Sequence, residues 1–171
     1  MAGRRKLVYV GCRANLNRSF ILEQILLKLI HEAALPIDIK SGGVMVDERV
    51  SNMSFHPAAV IEFVLALQKT GLDFIIPNIR KHQAHAFTLP DLQQADLILT
   101  MTRRQREHLK QHAPAKTRVM TLSQLRDVSR EEDVFDAMLE PVASVEAFVW
   151  QIAQIQYYVD IESLKTLLGL A

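Results

Sequence analysis

Apolar and polar positions alternate along this chain in two periods, and the switches between them divide it into strands and helices. Leu7 to Gly11 is a short, nearly continuous apolar run, the form of a strand covered on both faces. From Phe20 to His31 the apolar residues Ile21, Ile25, Leu26 and Leu29 recur at the spacing of one helical face, and Pro36 stops that helix. Ile37 to Ser41 fits a second strand, ended by Gly42-Gly43. Pro57 suits the first turn of a helix whose buried face is Val60, Phe63, Val64 and Leu67, with Gly71 at its end. "ADLILTM", residues 95 to 101, predicts a third strand; Thr102 can cap the charged helix "RRQREHLKQH", and "RVMTL", 118 to 122, predicts a fourth strand. The acidic segment 123 to 143 reads as irregular. Ser144 then caps one long last helix with Phe148, Ile152, Ile155 and Val159 on its buried face.

Strands separated by helices run parallel with right-handed crossovers, so this order predicts an α/β fold with helices on both faces of a four-stranded parallel sheet. Ligands of such sheets bind outside the carboxyl ends of the strands. The loop after the first strand, "CRANLNRS", residues 12 to 19, lies there.

Composition works mainly by exclusion. With 171 residues, 49% of them hydrophobic, and a formal charge of +1, the chain fits one domain over 1–171 with a full core. A balanced charge argues against nucleic acid as a partner, and Arg4, Arg5 and Lys6 form a short basic end. A single cysteine leaves no intramolecular disulfide and no cysteine-rich metal site, which suits a reducing compartment, the cytoplasm by default. The run from Leu7 to Val10 is too short for a signal-peptide core, and no uncharged segment reaches the roughly 18 residues of a membrane span.

That single cysteine, Cys12, occupies the position where the architecture binds anions. Backbone N–H groups of a tight loop, joined by the unpaired N–H groups that open the next helix, make a site for a phosphate-sized dianion. Such a setting favours the thiolate, the nucleophilic form of cysteine. Arg18, six residues on, can hold two phosphate oxygens in a bidentate fork, and the same fork suits a phosphoryl group in transfer.

"CRANLNRS" resembles the signature of the low-molecular-weight protein tyrosine phosphatases: Cys, any residue, Gly, Asn, any residue, Cys, Arg, Ser, following an apolar strand. Four of its six fixed positions agree, namely Cys12, Asn15, Arg18 and Ser19. The likeness continues through "SGGV" at 41 to 44, similar to the family's Ser-Ala-Gly-Thr, and "HQAHAFT" at 82 to 88, similar to His-x-Ala-Arg-x-Leu-Thr. "DLQQADLILTMTRRQREHL" is similar to the stretch around the family's third strand.

The resemblance implies a flavodoxin-like three-layer α/β/α fold and a cysteine-dependent phosphomonoesterase, most simply a protein tyrosine phosphatase acting on phosphorylated protein, without metal or cofactor. Cys12 would attack phosphorus and carry the phosphoryl group, and residues 12 to 19 (Cys12, Arg13, Ala14, Asn15, Leu16, Asn17, Arg18, Ser19) would cradle it. Asn15, Ser19, Ser41 and His82 would form the network that holds the cradle in shape. A thiol-dependent arsenate reductase shares this loop but needs two further cysteines that the chain lacks; a flavin protein would use its first loop for phosphate without needing Cys and Arg.

The chain also departs from the pattern. Ala14 stands for the loop glycine, where a positive φ would cost alanine about 1 kcal/mol or more. Asn17 replaces the second loop cysteine, so no protective disulfide with Cys12 can form. Phe20 replaces a proline, and Arg13 adds a cation that either favours acidic substrates, leaving phosphoarginine the less favoured alternative, or simply points into solvent. The family's Asp-Pro general acid is missing. In "DVFDAMLEPVASVEAF", Glu140 precedes a proline at nearly the family spacing, whereas Asp136 keeps the residue type without the proline. Both remain candidates for the acid. With Ala14 and no Asp-Pro, a slow or inactive phosphate-binding module derived from the family is the rival reading.

Overall fold

The computed structural model describes residues 4–44, 57–139 and 143–170. Four parallel strands, β1 (Lys6–Cys12), β2 (Ile37–Gly43), β3 (Leu97–Thr100) and β4 (Arg118–Thr121), lie in the order β2-β1-β3-β4, the flavodoxin-like winding. The helices are α1 (Arg18–Glu32), α2 (Pro57–Lys69), α3 (Ile76–Ile79), α4 (Leu89–Gln94), α5 (Arg103–Lys110), α6 (Leu122–Arg126), α7 (Val145–Tyr158) and α8 (Ile161–Leu168). Because the side-chain period of a strand is two, β1 sends Val8 and Val10 into one core and Tyr9 into the other; β3 does the same with Leu97 and Leu99 against Ile98. The larger core is filled from α1, α2 and α7 by Phe20, Ile21, Leu22, Leu26, Phe63, Leu67, Phe148, Ile152 and Ile155, and the smaller from α4 and α5 by Leu92 and Leu109. Among the described residues no helix is long and apolar enough to cross a membrane.

The predicted strands and main helices are present, and three local expectations need revision. The last helix breaks: Val159 takes an extended ψ of 121°, and Asp160 accepts N–H bonds from Glu162 (3.1 Å) and Ser163 (3.0 Å), starting α8. An internal Asp cap next to a β-branched residue offers the backbone a better exit than continuing. Within the segment read as irregular, residues 123–139 are also more ordered than their composition suggests. Thr121 and Gln124 form a capping box that turns β4 directly into α6, and a 3₁₀ turn follows at Ala137–Leu139. Finally α4, not foreseen from periodicity, is set by the Thr88–Asp91 capping box with Pro90 in its first turn.

Two glycines let the sheet's carboxyl end close up. Phe87 lies flat on Gly11 and Gly42, so a Cβ on Gly11 would stand 2.7 Å from its ring carbon and 2.9 Å from Val44, closer than real side chains approach. The segment before Phe87 joins the sheet edge through Gly43 N to His85 O (2.7 Å) and Phe87 N to Gly43 O (3.1 Å). That pairing brings the histidine-bearing segment 82–87 beside the loop after β1.

Candidate active site

Cys12 is the last residue of β1 and is buried, with its carbonyl held by Val44 N at 2.8 Å. The chain then turns through residues 13 to 17 into α1. The turn puts its positive φ on Asn15 (φ 55°), not on Ala14, so the strain expected at the glycine-to-alanine change does not arise there. Asparagine tolerates the left-handed region better than other non-glycine residues, because its short polar side chain can bond locally.

Asn15 does bond locally, through its side-chain amide and its carbonyl. Its Nδ2 donates to Ser19 Oγ at 3.1 Å, its Oδ1 accepts from His85 N at 3.2 Å, and its carbonyl accepts from His82 Nε2 at 2.5 Å. A carbonyl can only accept, so Nε2 carries the proton. Burial pushes the His82 pKa below its ordinary value, against the opposing pull of that carbonyl, which favours the neutral ring. Phe20 stacks on the imidazole at 4.5 Å between centroids, tilted by 34°, so the residue that replaces a proline fixes the histidine ring.

Ser19 Oγ lies 3.0 Å from Cys12 Sγ. With Asn15 donating into the hydroxyl oxygen, the hydroxyl proton is free to point at sulfur, and the relay Asn15→Ser19→Cys12 supplies a donor to a thiolate. Arg18, also buried, is braced on the opposite side of the loop. Its Nη1 donates to Val134 O at 3.0 Å and its Nη2 to Asp136 Oδ2 at 2.5 Å. The chain carrying these acceptors docks over the strand ends through Val134 N to Met101 O (2.8 Å) and Met101 N to Gly11 O (3.2 Å).

The structure therefore joins Cys12, Ser19, Asn15 and His82 in one hydrogen-bonded group and Arg18 with Asp136 in a second, both built on the loop after β1. Arg13 points into solvent, and Ala14 and Leu16 are half-buried. Ser41 is buried nearby, but its hydroxyl donates to Glu23 Oε2 at 3.0 Å; burial raises the pKa of that carboxyl, and the Ser41 bond opposes it. Asp133, a third loop acid, receives Arg103 N at 2.8 Å and faces the start of α5 instead of Arg18. Glu140 lies outside the described residues.

Several participants were not visible in advance. Asn17 forms a reciprocal amide pair with Gln151, Nδ2 to Oε1 at 3.0 Å and Nε2 to Oδ1 at 2.8 Å, so the position that holds a cysteine in the resembling signature here ties the loop to α7. His85 contributes a backbone N–H and Val134 a carbonyl, neither of which has a side-chain signature. Gln151 did leave a trace in the sequence: it is the polar residue three positions after Phe148, on the apolar stripe of α7.

The model of the family "Low molecular weight phosphotyrosine protein phosphatase" matches residues 6–144 of the chain. Among solved structures, Vibrio vulnificus Wzb in complex with benzylphosphonate superposes with a TM-score of 0.69 at 25% identity, over 94% of this chain and 98% of that one. A low molecular weight phosphotyrosine phosphatase from Vibrio cholerae O395 gives a TM-score of 0.70 at 24% identity, over 94% and 95% of the two chains. The arginine phosphatase YwlE of Bacillus subtilis, as a mutant with a phosphorylated active-site serine, gives 0.68 at 20% identity, over 95% of each chain. No curated protein matches the sequence.

Proposed function

The chain belongs to the low molecular weight phosphotyrosine protein phosphatase family, and on that premise we propose that it is a cysteine-dependent phosphomonoesterase acting on phosphorylated protein, with phosphotyrosine as its substrate. The observation that carries the reading is the Asn15→Ser19→Cys12 relay beside the braced Arg18. A structural thiol has no use for a directed hydroxyl donor and a buried guanidinium on the same loop.

The steps follow from those groups. Cys12 Sγ attacks phosphorus in line with the ester oxygen, forming a thiophosphate as the P–O bond breaks. Arg18 and the loop N–H groups take the charge on the equatorial oxygens. Asp136, once the bound phosphate takes its place on Arg18, picks up a proton from solvent and delivers it to the departing oxygen, which leaves as the phenol. The carboxylate so formed then takes a proton from water, which attacks phosphorus, releases inorganic phosphate and returns Cys12 as the thiolate. Ser19 stabilises that thiolate as the leaving group of the second step. Glu140 is the competing acid, and Arg13 at the rim favours acidic peptide context over phosphoarginine.

Turnover of p-nitrophenyl phosphate by the wild type, lost in Cys12→Ser, would support the enzyme. Vanadate binding without turnover would favour the slow binding module instead. Paired phosphotyrosine and phosphoarginine peptides of equal sequence then test the substrate; faster release from phosphoarginine would overturn the tyrosine assignment.

A further inference from the structure

Gln151 and Gln154 stand three residues apart on α7, and each receives a backbone N–H from the segment that carries Asp136. Ala137 N donates to Gln151 Oε1 at 3.0 Å, and Phe135 N donates to Gln154 Oε1 at 2.8 Å. Asp136 lies between the two held amides, and its carboxylate is fixed through both oxygens: Oδ2 accepts from Arg18 at 2.5 Å and Oδ1 from Met138 N at 3.2 Å. Gln151 reaches the other way as well, into the cradle, through its reciprocal pair with Asn17.

One fully buried side chain thus makes three hydrogen bonds and joins the nucleophile loop, 134 residues before it in sequence, to the acid segment, 14 residues before it. A position between Phe148 and Ile152 on the core face would be filled more cheaply by leucine or methionine if packing were its whole role, because a buried amide is tolerated only when its polar atoms are satisfied. Here they are satisfied by groups of the two loops whose relative placement matters for proton transfer.

We propose that Gln151, seconded by Gln154, is a positioning residue that sets the reach of Asp136 over the Cys12 loop. It acts through Asp136 and touches no substrate. The inference rests on the phosphatase reading above. A displacement of about 1 Å at a reacting group costs around a hundredfold in rate, and a loop acid held only by its own backbone has that freedom.

Leaving-group dependence tests it. Phenyl phosphate releases a basic phenolate that needs the proton, whereas p-nitrophenolate departs as the anion. In Gln151→Ala, kcat/KM, which reports ester cleavage alone, is expected to fall about tenfold to a hundredfold on phenyl phosphate and by less than about threefold on p-nitrophenyl phosphate, with vanadate inhibition unchanged. An equal fall on both substrates, or no fall, overturns the proposal. Hydrogen exchange of segment 133–139, read by mass spectrometry, is expected to quicken in the same variant; unchanged protection also overturns it. If the wild type hydrolyses neither ester, the phosphatase reading fails by itself, and the exchange measurement still decides whether Gln151 holds the acid segment. Should Gln151→Ala fail to fold, Gln154→Ala, at a half-buried position, carries both readouts with an effect of about fivefold.

Discussion

The guanidinium of Arg18 meets the carboxylate of Asp136 at 2.5 Å, across 118 residues of sequence, with both side chains largely withdrawn from water. Removing one partner of such a pair strands the other, whereas a neutral isostere keeps the shape. Asp136→Asn is therefore expected to fold, bind vanadate, and lose about a hundredfold or more in kcat on phenyl phosphate. Glu140→Gln is expected to stay near wild type. Steady-state kinetics on both variants check the assignment, and a large loss confined to Glu140→Gln would move the acid there.

Ser19→Ala removes the side-chain donor that lies 3.0 Å from Cys12 Sγ. A hydrogen bond to a charged group is worth about 1.5–3 kcal/mol, so breakdown of the thiophosphate should slow about tenfold to a hundredfold. Rapid-quench experiments should show a burst of p-nitrophenol followed by a slower steady state, with the phosphoenzyme accumulating. A uniform slowing without accumulation would place the role of Ser19 elsewhere.

His82 links stability to pH. Burial holds its folded pKa below the ordinary 6.5, so as pH falls through 6.5 the unfolded chain takes up the proton first. The stability it contributes is complete above that pH and declines between 6.5 and the lower folded value. Tm measured from pH 7 to pH 5 should fall more steeply in the wild type than in His82→Gln, which retains an N–H for the Asn15 carbonyl but does not titrate. Parallel curves would contradict this.

Gly11→Ala tests the packing that seats the cradle. The added Cβ would lie 2.7 Å from the Phe87 ring and 2.9 Å from Val44, so something must move. The expected cost is about 1–3 kcal/mol in denaturant unfolding. Adding Phe87→Leu should recover part of it, since a flexible aliphatic chain can yield where a flat ring cannot.

Residues close in sequence were the easiest to interpret. Cys12, Asn15, Arg18 and Ser19 lie within a single turn of chain, and the strand-to-helix switch around them is a matter of periodicity. Asp136 was one of two candidates because the local signals conflict, residue type favouring it and the following proline favouring Glu140; its contact with Arg18 exists only after α7 and the strand ends bring the two segments together. The clamp by Gln151 and Gln154 was harder still, since half of it is backbone N–H, which every residue has.

The succession of strands and helices along the chain and the buried helix faces followed from the sequence alone, because hydrophobic period and caps are properties of neighbouring residues. Where the positive φ falls, which tautomer His82 adopts, and that Asp136 meets Arg18 were decided by the tertiary structure. Those are choices among locally equivalent options, and only partners brought from distant parts of the chain make one of them lower in free energy than the rest.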